Sequence, residues 1–195
     1  MDKEPITLIS SGVLLKNESD RTSKKIETIV KEAGVRLIEN THVTELNEER
    51  LYTDGAIMIE YDEVLWLTGP KAFDIFKKAL VPTDDKGFML VNDFLQSPSF
   101  PSVFGAGDCV TISSHPTLPK NGVYAFRQAP VLYNNLVSFL REEEGTLFTP
   151  QKRYLSILSI GNKKGFLLYG GQCITGKWTW RLKHYIDSNY MKSFQ

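Results

Sequence analysis

The chain predicts an α/β fold, and three stretches carry the prediction. Pro5–Ile9 (PITLI) is a short β-branched run that ends at Ser10-Ser11-Gly12. With the helical spacing over Asp20–Ala33 and the apolar run Val35–Ile38 it makes a strand–helix–strand unit, which implies a parallel pair. Ser102–Val131 opens with an apolar strand (Val103, Phe104), runs into Gly105-Ala106-Gly107, meets an acid at Asp108 and reaches a helical pattern near Asn121. The last part is different in kind. Tyr154–Ile160 and Lys164–Tyr169 read as an antiparallel pair joined at Gly161-Asn162, followed by a helical stripe over Trp178–Phe194.

At 195 residues the chain holds one large domain or two small ones, since domains usually run to about 100–200 residues. Hydrophobic content of 42% with 24% charged residues is globular and argues against disorder. The 23 basic residues balance the 23 acidic ones, so no basic footprint favours a nucleic-acid partner. No secretory leader and no apolar run of about 18 residues is visible. Cys109 and Cys173 stand far apart without a C-x-x-C, which excludes a local redox motif or zinc knuckle and points to a thiol-reducing compartment. The expectation is a cytoplasmic protein.

The elements follow in order. Ile26, Ile29, Val30 and Ala33 form the apolar face of the first helix, with Asp20 or Thr22 to cap it and Gly34 to close it. His42–Leu46, Arg50–Thr53, Ala56–Glu60 and Glu63–Leu67 are short strands of an antiparallel insert, with Asp54-Gly55 as a hairpin turn. Val64–Leu67 is continuously apolar, so it predicts a strand buried on both faces that ends at Thr68-Gly69-Pro70. Phe73, Phe76 and Leu80 mark a short helix over Ala72–Leu80, and Phe88–Val91 another strand. The helix Gly122–Arg141 is expected to bury Ala125, Leu132, Leu136, Val137 and Leu140, with Pro130 loosening one turn.

A strand that ends in glycines, an acid and a helix start is a device for holding a polar ligand. Glycines let a ligand approach the backbone, and a helix start offers unpaired N–H groups and a positive dipole end.

Seen together, Thr68-Gly69, the Lys86–Val91 strand, Leu95-Gln96-Ser97, the Pro101–Phe104 approach and Gly105-Ala106-Gly107-Asp108-Cys109 resemble a known family. They look like the C-terminal part of the pyridine-nucleotide oxidoreductases, flavoproteins with two dinucleotide-binding domains, within the NADH-dehydrogenase-like branch. The block Leu118–Gln128 and the tail at Trp178-x-Trp180-Arg181-Leu182-Lys183 are most similar to the flavoprotein module fused to selenide, water dikinase.

The resemblance implies a partial FAD/NAD(P)-binding Rossmann-like fold. Residues 1–67 would be the C-terminal half of an NAD(P)-binding domain, 68–145 the C-terminal part of an FAD-binding domain, and 146–195 a hairpin plus helix. It implies that Asp108 accepts hydrogen bonds from the FAD ribityl hydroxyls, and that Gly105 and Gly107 let the ribityl–pyrophosphate stretch pass. The helix start at Gly122, Val123 and Tyr124 would face the pyrimidine edge of the flavin ring, Lys120 would add positive charge there, and Thr68 and Gly69 would mark the return to the FAD domain. FAD and NAD(P)H are the implied cofactors of the intact protein, with a small or quinone-like electron acceptor.

Neither G-x-G-x-x-G loop of that family is present, and Ser10 and Ser11 stand where an acid for the adenine-side ribose is expected. The chain therefore reads as a fragment whose partner is the N-terminal half or a second copy of itself. The rival reading is a non-catalytic module for partner docking. Cys109 is either a redox thiol or a small residue behind the ribityl contact, and His115 a loop residue rather than a base. Aromatics mixed with basic residues in Trp178–Phe194 suit either a membrane surface or packing on the protein's own hairpin, with packing preferred. No residue is assigned as acid, base or nucleophile.

Overall fold

The computed structural model describes residues 6–192, which divide into two compact units. One comprises the chain up to Leu65 together with the chain from Arg153 onward. The other is Trp66–Lys152.

In the first unit, strand β1 (Thr7–Ile9) and strand β2 (Arg36–Ile38) pair in parallel through helix α1 (Asp20–Glu32). The right-handed helix start is set by Ser19, one residue ahead of the expected caps. Its hydroxyl oxygen accepts from the Thr22 amide, because the extended backbone at Ser19 aims the side chain back over the first turn. Gly34, in the left-handed region, closes the helix. Strands β3 (Val43–Leu46), β4 (Arg50–Thr53) and β5 (Met58–Glu60) form an antiparallel meander around the Asp54-Gly55 turn.

The C-terminal segment belongs to the same unit. Strands β8 (Ser156–Ser159) and β9 (Gly165–Tyr169) are the expected antiparallel pair. A third strand, β10 (Gln172–Gly176), joins them through the Gly170-Gly171 turn. Phe166 and Leu168 of β9 pack on Ile26 of α1, with Leu14, Leu15, Ile29 and Val30 around them. Helix α4 (Lys177–Lys192) lies on this sheet and buries Thr179, whose hydroxyl donates to the Gly165 and Gly176 carbonyls, each at 2.7 Å. Trp178 is half exposed and Tyr185 largely exposed, so only part of the expected stripe is packed. The end of that stripe, at Phe194, lies outside the described residues. No helix among the described residues is long and apolar enough to cross a membrane.

The second unit is built on a parallel pair, β6 (Met89–Val91) with β7 (Val110–Ile112). Its core is Phe88, Met89, Val91, Leu95, Val110, Ile112 and Phe148. Helix α3 (Gly122–Arg141) runs unbroken through Pro130. Three expectations are corrected here. Val64–Leu67 is not a buried strand: Leu65 and Leu67 are largely exposed, because no described strand pairs with this run. The helix expected over Ala72–Leu80 is the single turn α2 (Ile75–Lys78), with Phe73 and Leu80 exposed and Leu80 in the left-handed region. Leu136 and Leu140 of α3 face solvent, and the buried stripe is instead Tyr124, Gln128 and Asn135. Hydrogen bonding decides that orientation, since Asn135 donates to the Phe94 and Thr146 carbonyls and accepts from the Thr146 amide.

Candidate functional site

The site is built where β7 meets α3. Before β7 the chain runs extended through Val103–Ala106, pairs Phe104 with Gln96 in an isolated antiparallel bridge, and turns at Gly107–Cys109 in one turn of 3-10 helix. Gly105 is required by space. A Cβ there would stand 2.5 Å from the Met89 methyl and 2.6 Å from a Val110 methyl, inside contact distance of the strands beneath. Gly107 is required by backbone, with φ of +77°, a conformation that L side chains rarely adopt. That turn leaves Asp108 exposed at its outer corner.

Gly107, Asp108, Lys120 and Tyr124 come together on the lining of one small cleft. His115 and Pro116, on the loop between β7 and α3, line it as well. Gly105 lies behind the wall, and Gly122 and Val123 sit at the start of α3 beside it. Thr68 and Gly69 are exposed and do not line the cleft.

The helix start is pinned by Asn121, whose Oδ1 accepts from the Val123 and Tyr124 amides at 3.1 and 3.2 Å. The Val123 and Tyr124 amides are thus engaged within the helix cap, while the positive end of the helix dipole remains at the start of α3 beside the cleft. Lys120 is also committed. Its Nζ donates to the Val110 carbonyl and to Thr111 Oγ1 and lies 4.0 Å from the Phe88 ring centroid. Burial pushes the Lys120 ammonium below the usual lysine range, and the carboxylates of Asp84 and Asp108 oppose that drop by attraction. Cys109 donates through Sγ to the Ala106 carbonyl and is half-buried, so the turn itself occupies the thiol.

Three residues complete the site without having been singled out from the sequence. Gln128, one helical turn beyond Tyr124, accepts the Gly107 amide proton through Oε1 at 2.5 Å and so holds the glycine turn against α3. Asp84 accepts from Thr111 Oγ1 at 2.7 Å and from the Lys86 and Phe88 amides at 2.9 Å. Burial works to raise its carboxyl, yet these bonds and the Lys120 charge outweigh that and hold it below the ordinary carboxylate range. Thr111 links Asp84 to Lys120. The legible signal for Gln128 was its i+4 spacing from Tyr124; for Asp84 and Thr111 there was none, as they meet only through the β6–β7 pairing. His115 is half-buried and lines the cleft, where a solvent-exposed loop residue was expected. Among the described residues no group of His, Cys, Asp or Glu could hold a metal ion.

The family model for pyridine nucleotide-disulphide oxidoreductases matches residues 3–129, which includes this whole arrangement. The chain belongs to that family. Among its relatives is the internal alternative NAD(P)H-ubiquinone oxidoreductase A1 of Arabidopsis thaliana mitochondria, 22% identical over 97% of this chain and 43% of that protein. The chain spans about half the length, or somewhat less, of the curated relatives it matches. Among solved structures, NDH2 of Plasmodium falciparum in complex with NADH superposes with a TM-score of 0.77 at 12% identity, covering 92% of this chain and 54% of that one. A FAD-dependent pyridine nucleotide-disulphide oxidoreductase from Desulfovibrio vulgaris gives 0.65 at 20% identity, covering 84% and 42%. At these identities the likeness is one of fold, and it is a mixed α/β fold shared with FAD- and NAD-binding oxidoreductases. FAD and NAD(P)H are the cofactors of the family.

Proposed function

We propose that this chain supplies the ribityl side of an FAD site in an NAD(P)H oxidoreductase that passes electrons to a small or quinone-like acceptor. The observation that carries this reading is the convergence of Gly107, Asp108 and the α3 start on one cleft. The residues fit the group in kind. Asp108 presents an exposed carboxylate that can accept from a polyol, and Gly107 offers backbone without a side chain. The α3 dipole favours an electron-rich ring at its N-terminus. When bound, FAD would supply the hydride and electron chemistry. The chain's own work is to orient it: Gln128 holds the Gly107 turn, Asn121 holds the helix start, and Lys120 ties that start to β7 beside Asp84. In the same reading residues 1–67 serve the NAD(P)H side and residues 68–145 the FAD side. The resemblance of Leu118–Gln128 to the module fused to selenide, water dikinase supports an acceptor linked to selenium or sulfur chemistry.

The test is a titration of FAD into the purified chain, followed by flavin fluorescence and visible absorbance, before and after NADH. Saturable quenching that Asp108→Ala weakens by about ten-fold or more supports the reading, a carboxylate-to-polyol bond being worth about 1.5–3 kcal/mol. No quenching at any FAD concentration overturns it for this chain and favours a non-catalytic docking module.

A further inference from the structure

Asp84 lies outside the cleft, and its two carboxylate oxygens do different work. It opens the turn before β6, where its amide donates to the Phe88 carbonyl and its carbonyl accepts from the Gly87 amide. Oδ1 accepts from the Lys86 and Phe88 amides at 2.9 Å, which completes that turn. Oδ2 serves no turn. It reaches across to β7 and accepts from Thr111 Oγ1 at 2.7 Å.

That bond fixes the direction of a relay. A threonine hydroxyl has one proton and two acceptor sites. With the proton given to Asp84, the oxygen is left to accept, and Lys120 Nζ donates to it at 3.2 Å. The ammonium and the carboxylate therefore stand within about 6 Å of each other, near enough for the carboxylate to favour the charged lysine. Thr111 is buried, so water screens the pair little. On its other sides the ammonium is held by the Val110 carbonyl and by the Phe88 ring, 4.0 Å from its centroid. The other charged and titratable groups around it are Asp108 and the Cys109 thiol on the glycine turn, Lys86 on the Asp84 turn, and His115, which lines the same cleft. Asp108 supports the lysine charge and Lys86 opposes it. Burial works against that charge, and Asp84 is the largest influence that offsets burial.

We propose that Asp84 is a positioning residue for the cleft: acting through the Thr111 hydroxyl, it holds the Lys120 ammonium in place, so that the cleft presents one fixed positive charge to an electron-rich ring. The ring rests on the flavin reading above; the relay does not. A fixed cation beside such a ring favours its reduced, electron-rich form over its oxidised form, so the relay makes the bound cofactor easier to reduce. Asp84 exerts this effect without touching the cofactor.

The experiment follows the lysine side chains of the full chain by NMR after ε-carbon labelling, across pH, with no flavin added. The Lys120 signal is the one that Lys120→Arg removes. In Asp84→Asn its titration midpoint should fall by about one pH unit. Thr111→Val, which keeps the shape and removes the hydroxyl, should lower it in the same direction. Thr111→Ser, which restores the hydroxyl, should return it to the parent value. All variants are checked for native circular dichroism. A purely structural Asp84, capping its turn through Lys86 and Phe88, predicts no movement of Lys120 in Thr111→Val. An unmoved midpoint in Asp84→Asn or Thr111→Val overturns the relay, as does Thr111→Ser behaving like Thr111→Val. The second readout is the FAD-loaded chain in equilibrium with a redox dye, where Asp84→Asn should leave a smaller reduced fraction of flavin than the parent. An unchanged fraction overturns the effect on the cofactor. A chain that takes up no FAD overturns the flavin reading alone, because the lysine titration still decides the relay.

Discussion

Helices α1 and α3 each carry apolar side chains at helical spacing, yet they settle with opposite kinds of residue inward. In α1 the apolar stripe does what its spacing implies: Ile26 is buried against Phe166 and Leu168, and the lysines and glutamates look out. In α3 three hydrogen-bonding side chains take the interior, while apolar side chains such as Tyr133, Leu136 and Leu140 take the outside. The difference teaches that amphipathic spacing locates a helix but does not say which face its neighbours will claim. A buried backbone donor or acceptor left without a partner costs about 1–3 kcal/mol, comparable to burying a leucine, so a loop such as Thr146 can outbid an apolar stripe.

The largest way to break the comparison is Asn135→Ala. It strands the Phe94 carbonyl and both backbone groups of Thr146, and should cost about 3–4 kcal/mol in urea unfolding. Ile26→Ala tests the ordinary helix by the ordinary mechanism, and a loss of about 2–3 kcal/mol is expected from lost transfer and a partial cavity. If Asn135→Ala instead proved milder than Ile26→Ala, the polar interior of α3 would not be what orients it.

Smaller effects sharpen the picture. Ser19→Ala removes the α1 cap and should cost about 1 kcal/mol. Asp84→Asn should cost a similar amount, about 1 kcal/mol at neutral pH, by weakening the hold on Thr111, Lys86 and Phe88. Its pH signature has a definite sign. The folded carboxyl titrates below its unfolded value of about 3.9, so its stabilisation is present above that value and is lost as pH falls through the lower folded one. Urea midpoints measured between about pH 5 and pH 2 should therefore decline less steeply in Asp84→Asn than in the parent. The smallest expected effect is Leu140→Asp, within about 0.5 kcal/mol for the chain alone, because that side chain already faces water.

Much of the fold was legible in the residues. Gly34, Asp54-Gly55 and Gly161-Asn162 are local punctuation, and local chemistry decides where a chain turns. The parallel β1–β2 pair followed from one helix between two β-branched runs. Missed were β7, whose Val110-Thr111-Ile112 is too short to announce itself, and β10, hidden behind two glycines. Val64–Leu67 was misjudged for a physical reason: an apolar run becomes a buried strand only where strands flank it.

The candidate site divides the same way. Gly105, Gly107 and Asp108 are adjacent in sequence, and their requirement for small side chains and a left-handed turn is a property of that stretch alone. Asn121 before Gly122 is likewise a local helix start. The chain by itself thus determined the α/β class, the glycine–acid turn and the helix that follows it, because each rests on short-range backbone preference. Only the tertiary structure brought Gln128 to the Gly107 amide, joined Asp84 through Thr111 to Lys120, and turned Tyr133 and Leu140 outward. Those outcomes depend on which distant backbone groups need partners, a quantity no local pattern carries.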